Sequence, residues 1–95
     1  MISKRDVKIP GGKLLRVEVE AEAGVVLRAV VRGDFFAHPE EAFEEAEASL
    51  SGLALAGLPA AAALAFSRPG LVIFGAGPPD IAEALRRAID EHQAP

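Results

Sequence analysis

No cysteine occurs in the sequence. That excludes disulfides, thiolate catalysis and cysteine-ligated metal or iron–sulfur sites. Basic residues are scarce as well: 10 Lys and Arg against 14 Asp and Glu leave a formal net charge of −4, and no basic run exceeds Lys4-Arg5. A nucleic-acid-binding surface needs the opposite balance. Long apolar runs are also missing. The longest, Leu53–Phe66, is broken by Gly57 and Pro59 and is too short to span a bilayer, and the amino terminus lacks the apolar core of a signal peptide. The expectation is a cytoplasmic protein that engages neither nucleic acid nor membrane. His38 and His92 lie far apart, with no acidic partner at ligand spacing, so no metal site is expected.

What the chain does contain is aliphatic and small. Apolar residues make up 51% of 95 residues, enough for one small folded domain spanning 1–95, but much of that fraction is alanine. The core is therefore thin per residue, and a partner surface is a natural source of further burial.

The clearest pattern is a β-hairpin around Gly24. Leu15, Val17, Val19 and Ala21 alternate with Arg16, Glu18, Glu20 and Glu22, as in a half-buried strand. The returning strand sets Val25, Leu27, Ala29 and Val31 on one face and Val26, Arg28, Val30 and Arg32 on the other. Matching the apolar faces pairs Ala21 with Val25, Val19 with Leu27, Val17 with Ala29 and Leu15 with Val31, and puts Glu18 opposite Arg28. A two-residue loop at Ala23-Gly24 would shift that register by one and expose the apolar set. An odd loop, Glu22-Ala23-Gly24 with Gly24 at positive φ, is expected instead.

Elsewhere, Met1–Asp6 reads as loose and Asp6–Ile9 as a short strand ended by Pro10-Gly11-Gly12. His38-Pro39 reads as a helix entry. Phe43, Ala46, Leu50 and Leu53 form the apolar stripe of that helix, and Glu40, Glu41, Glu44, Glu45 and Glu47 form a face that is solvated or meets a basic partner. Pro59 opens an alanine-rich helix to about Phe66. Leu71-Val72-Ile73-Phe74, bounded by glycines, reads as a buried strand or extended segment. Gly75-Ala76-Gly77 reads as a turn into a final helix nucleated by Pro78-Pro79-Asp80, with Ile81, Leu85, Ala88 and Ile89 inside. Its glycines lack the third glycine of a dinucleotide motif and the lysine of a phosphate loop. The expected fold class is α+β: a small antiparallel β-sheet with about three helices packed on one face.

Two features point outward. Gly11-Gly12-Lys13 presents a cation on permissive backbone, suited to an anionic group, and is equally readable as a turn into the next strand. Phe35-Phe36 are adjacent and point to opposite sides if extended, so one can enter the core and the other needs a second surface. The sequence does not say which.

The string Lys8-Ile9-Pro10-Gly11-Gly12-Lys13-Leu14-Leu15, then Gly24 with its Val-Val strand, then Gly33-Asp34-Phe35-Phe36, resembles the accessory, C-terminal domain of lipoate–protein ligases. The segment Gly75–Leu85 is similar to that domain's closing glycine-to-helix element. A 95-residue chain opening at Met1 looks like the separate form of this domain, a small subunit working with a separate large one. The resemblance implies a non-catalytic partner in a heterodimer, required for ATP-dependent activation of lipoate to lipoyl-AMP and mobile relative to the large subunit. It also implies that the large subunit holds ATP, magnesium, lipoate and the catalytic lysine, and that lipoyl-acceptor domains are served only indirectly. No catalytic, cofactor or metal residue is expected in this chain. Lys8, Pro10, Gly11, Gly12, Lys13, Asp34, Phe35 and Phe36 are the expected partner-facing or active-site-capping residues. The fold also looks similar to that of iron–sulfur scaffold proteins. A binding or scaffold module on that fold is therefore the alternative, although the missing cysteines argue against iron–sulfur chemistry.

Overall fold

A computed structural model of the chain describes residues 1–11 and 13–93. Gly12, one of the expected partner-facing residues, lies outside them, as does the side chain of His92. Strands β1 (Ile2–Lys8), β2 (Leu14–Glu22) and β3 (Val25–Gly33) form an antiparallel sheet in that order. The chain then runs through β4 (Phe36–His38), α1 (Glu40–Ala48), a 3-10 turn (Leu55–Gly57), α2 (Leu58–Ala65), β5 (Val72–Phe74) and α3 (Pro78–Gln93). β4 and β5 pair antiparallel as a separate ribbon, so the α+β fold has two sheets where one was expected.

The hairpin is real, but its turn is not the expected one. Ala23 at φ 52° and Gly24 at φ 77° make a two-residue turn of the primed kind, whose twist matches the strands it joins. Ala21 therefore faces Val26 and Glu22 faces Val25. A β-bulge then takes up the one-residue error: Glu20 pairs with Arg28, leaving Leu27 as the extra residue. Leu27 and Arg28 both point outward, while Val26, Ala29 and Val31 point inward. Beyond the bulge Val19 faces Ala29, Val17 faces Val31 and Leu15 faces Gly33. Glu18 lies opposite Val30 and reaches Arg28 only diagonally, at 3.5 Å.

The amino terminus is also more ordered than its polarity predicts. β1 pairs with β2 over its whole length, from Ile2 opposite Glu20 to Lys8 opposite Leu14. Its inward positions carry one large apolar side chain, Val7, and the rest of the anchorage is polar. The Ser3 hydroxyl donates to the Ala88 carbonyl at 2.8 Å, and Arg5 pairs with Glu91. Both bonds run to α3, which alternation along β1 cannot reveal.

The helices form one layer over the inner face of the main sheet, α3 against β1 and β2 and α1 against β3. Ile81, Ala84, Leu85, Ala88 and Ile89 of α3 pack on Leu15, Val17 and Val19, all buried. The smallest dimension is 16 Å, the thickness of a single sheet–helix pair. Within the first helix Phe43 and Ala46 are buried, as is Leu50 just beyond it, whereas Leu53 is exposed. Leu53 lies past the end of the helix, where its carbonyl accepts from Val26 N–H at 2.8 Å. Helix α1 starts at Glu40, one residue after Pro39, and His38 ends β4 where a helix-entry residue was expected.

Two positions isolate these local rules. Ala23→Asn relieves a non-glycine residue at positive φ in a primed turn and should stabilise the fold by about 0.5–1 kcal/mol. Gly33→Ala should do the reverse. Gly33 has φ 146°, and a Cβ there would lie 2.2 Å from the Leu14 carbonyl oxygen, so a loss of about 3 kcal/mol or more is expected. Urea unfolding of the two variants checks both signs.

Candidate functional site

Three separate stretches meet at the end of the sheet opposite the hairpin turn. The first is the loop from Ile9 to Lys13, closed by Ile9 N–H donating to the Lys13 carbonyl at 2.9 Å. Pro10 and Gly11 are exposed on it. The second is Gly33–Phe36. Asp34 N–H donates to the Leu14 carbonyl at 2.9 Å, and Leu14 N–H returns a bond to the Asp34 carboxylate at 3.2 Å. The ladder thus runs one step past the strand, with a side chain as its last acceptor. The third is Gly75. At φ 97°, a Cβ on it would stand 2.9 Å from the Asp34 carbonyl oxygen and 3.3 Å from the Lys13 Cδ. Glycine at this point lets the chain leaving β5 pass beneath the Lys13 stem.

Gly11, Lys13, Gly33, Asp34, Phe35 and Phe36 line one shallow groove of about 600 Å³. Five of the eight expected residues are therefore brought together. Lys8 and Pro10 are exposed nearby but do not line the groove, and Gly12 is outside the described residues. The two phenylalanines divide. Phe35 turns inward, its ring 5.4 Å from that of Phe43, which lies 5.0 Å from Phe66, so three phenyl rings run into the core. Phe36 is 80% exposed.

Charge around the groove is partly committed to structure. The Arg16 guanidinium hydrogen-bonds Asp6 at 2.9 and 3.3 Å, which lowers the Asp6 carboxyl below its ordinary value. The same pair raises Arg16, and the charge of Asp34 adds to that. Across the sheet, Glu47 is not part of a solvated acidic face. It accepts from Val31 N–H at 2.9 Å and from Arg32 at 2.8 Å, closing the outer edge of β3. Among the described residues, no group of three or more His, Asp or Glu is placed to hold a metal ion. The groove offers an exposed cation beside an exposed ring, a means of contacting an anionic or aromatic group. Among its described lining residues there is no nucleophile–base pair.

Leu71–Phe74 was expected to be a buried strand or an extended segment; it forms the short strand β5, but Val72 and Phe74 are exposed, and Phe74 lies directly opposite Phe36 in the ribbon. A strand of three residues has too few positions for alternation to show which face is wet. Gly75 was read as part of a turn into the last helix, which it is. Gly77 N–H donates to Asp80 at 2.8 Å and caps α3, but the contact of Gly75 with Asp34 has no local signal.

No protein-family model and no curated protein sequence matches the chain. One solved structure does: a chain from the lipoylation system of Thermoplasma acidophilum, described as a bi-partite lipoate protein ligase and its E2 lipoyl domain. The TM-score is 0.76 at 24% identity, over 90% of this chain and 96% of that one. At that identity the match establishes a shared fold.

Truncating the two rings separates their roles. Phe35→Ala removes the half-buried outer end of the ring series and should cost about 2 kcal/mol, whereas Phe36→Ala should leave stability within about 0.5 kcal/mol. Denaturant midpoints at a common slope test this.

Proposed function

We propose that this chain is the non-catalytic small subunit of a two-part lipoate–protein ligase, acting with a separate large subunit to activate lipoate to lipoyl-AMP for protein lipoylation. One observation carries the reading. The segments that resemble the ligase accessory domain, Lys8–Leu15, Gly33–Phe36 and the glycines after Phe74, are distant in sequence yet converge at one end of the sheet. Glycine there is demanded by backbone contacts, and the groove it shapes is open. The shared fold with a chain of an archaeal lipoylation system supports the same reading.

In this reading ATP, magnesium and lipoate belong to the large subunit. The present chain supplies a surface that closes over or positions that site. Lys13, exposed on its loop, is the side chain that meets an anionic group across the interface, while Asp34 holds the groove's shape through Leu14.

The test is a lipoyl-adenylate assay with the purified chain, the large subunit and their mixture. Activity is expected only in the mixture. Lys13→Ala should lower it by about tenfold or more while leaving the melting temperature within about 2 °C, since little buried area is lost. Adenylate formation by this chain alone would overturn the assignment. So would full activity of the large subunit alone. A chain that instead gains the mass of a lipoyl group on a lysine would be an acceptor in the system.

A further inference from the structure

The outward face of the β4–β5 ribbon is not explained by the fold. Phe36 and Phe74 are cross-strand partners, 80% and 61% exposed, and Val72, opposite His38, is 48% exposed. The inward face, Ala37 and Ile73, packs on the core and anchors the ribbon. A cross-strand aromatic pair steadies such a short ribbon by about 1 kcal/mol at most, and most of both rings still faces solvent. Scattered exposed apolar residues are ordinary, but paired rings on one small face are a patch.

The rim of the patch is charged on one side. Beside Phe36 lies a hollow of about 350 Å³ whose wall includes Glu40 and Glu44 from the first turns of α1. Glu45 reaches Arg68 at 3.8 Å and Glu47 binds Arg32, whereas Glu40 and Glu44 make no ion pair among the described residues. They stand one helical turn apart and repel each other. A cationic group between them would remove that cost.

We infer that this ribbon face, Phe36, Phe74 and Val72 with the rim Glu40 and Glu44, is where the large catalytic subunit docks, through an apolar patch bordered by lysine or arginine. The inference rests on the function proposed above. Burying the exposed parts of the two rings supplies about 200–350 Å², around a third of one partner's share of a standard interface, with the α1 rim and the adjoining Lys13 groove available for the remainder. A second copy of this chain is the weaker occupant, because each copy carries a formal net charge of −4 and the rim is acidic on both. Docking here also places Lys13, whose groove includes Phe36, at the edge of the contact.

The experiment measures binding of the full chain to the purified large subunit of a two-part lipoate–protein ligase from the same organism by titration calorimetry, with association rates at low and high salt. Phe36→Ser and Phe74→Ser should each weaken binding about thirtyfold with little change in melting temperature. The double charge reversal Glu40→Lys with Glu44→Lys should slow association about tenfold at low salt, an effect that fades at high salt. Leu64→Ser, exposed on α2 outside the ribbon, should leave binding unchanged. Wild-type affinity in both phenylalanine variants would overturn this docking surface and leave the proposed function standing. Absence of any complex with the wild-type chain would remove that function and this inference with it. A homodimer of the chain alone that dissolves in the Phe36→Ser variant would assign the face to a second copy and overturn the inference.

Discussion

The backbone of Gly33 lies against the Leu14 carbonyl at a distance that no side chain permits, and the open end of the molecule depends on that approach. Because the two strands touch there, Asp34 can exchange hydrogen bonds with Leu14 through both its amide and its carboxylate. Once Asp34 is fixed, Phe35 is directed toward Phe43 and Phe36 away from it. β4 then starts in the orientation that lets β5 pair with it, and Gly75 passes under Asp34. A glycine contact, rather than a large apolar cluster, organises the end that carries the groove.

This division of labour follows from composition. The aliphatic core lies between the main sheet and α3, where Val17, Val19, Ile81 and Leu85 are nearly inaccessible. Toward the ribbon the packing is carried by a row of three phenyl rings with the partly buried Ala37, Leu71 and Ile73. The aliphatic packing therefore concentrates at one end and the open groove lies at the other. The ribbon is held by few buried contacts, which is the usual condition of surfaces that adjust on binding.

Legibility in the sequence tracked the range of the interactions. The inward set of β2 and the buried stripe of α3 were readable, because each repeats with the period of its own element. The hairpin was readable in outline, and its register was not. Parity excluded a two-residue turn only if the strands were regular, and the bulge at Leu27 removed that condition. The Val25-Val26 and Val30-Val31 doublets, which fit either face, were the only local hint. The first part of β1, before the short strand expected from Asp6, escaped because its inward positions are filled by Ser3 and Arg5, whose partners are on α3, more than eighty residues away. The candidate site was legible as a list of residues, five of which share a groove, but not as a place. The strand opposite Phe36 is contributed by a segment too short to carry a period of its own.

The two borders of the main sheet are finished differently. On the β3 side the backbone of Val26 is engaged by Gly52 and Leu53, Leu55 N–H reaches Gly24, and Glu47 takes the amide of Val31. That border is sealed by the chain's own loop and helix. On the β1 side, Met1, Ser3, Arg5, Val7 and Ile9 turn their hydrogen-bonding groups toward β2, so those of Ile2, Lys4, Asp6 and Lys8 face outward. The side chains there alternate in charge, Lys4, Asp6 and Lys8, which discourages chance pairing between molecules. The two borders therefore differ in what an added strand would meet: the chain's own loop and helix at Gly24, Val26 and Val31 beyond β3, and a row of outward backbone groups alongside β1.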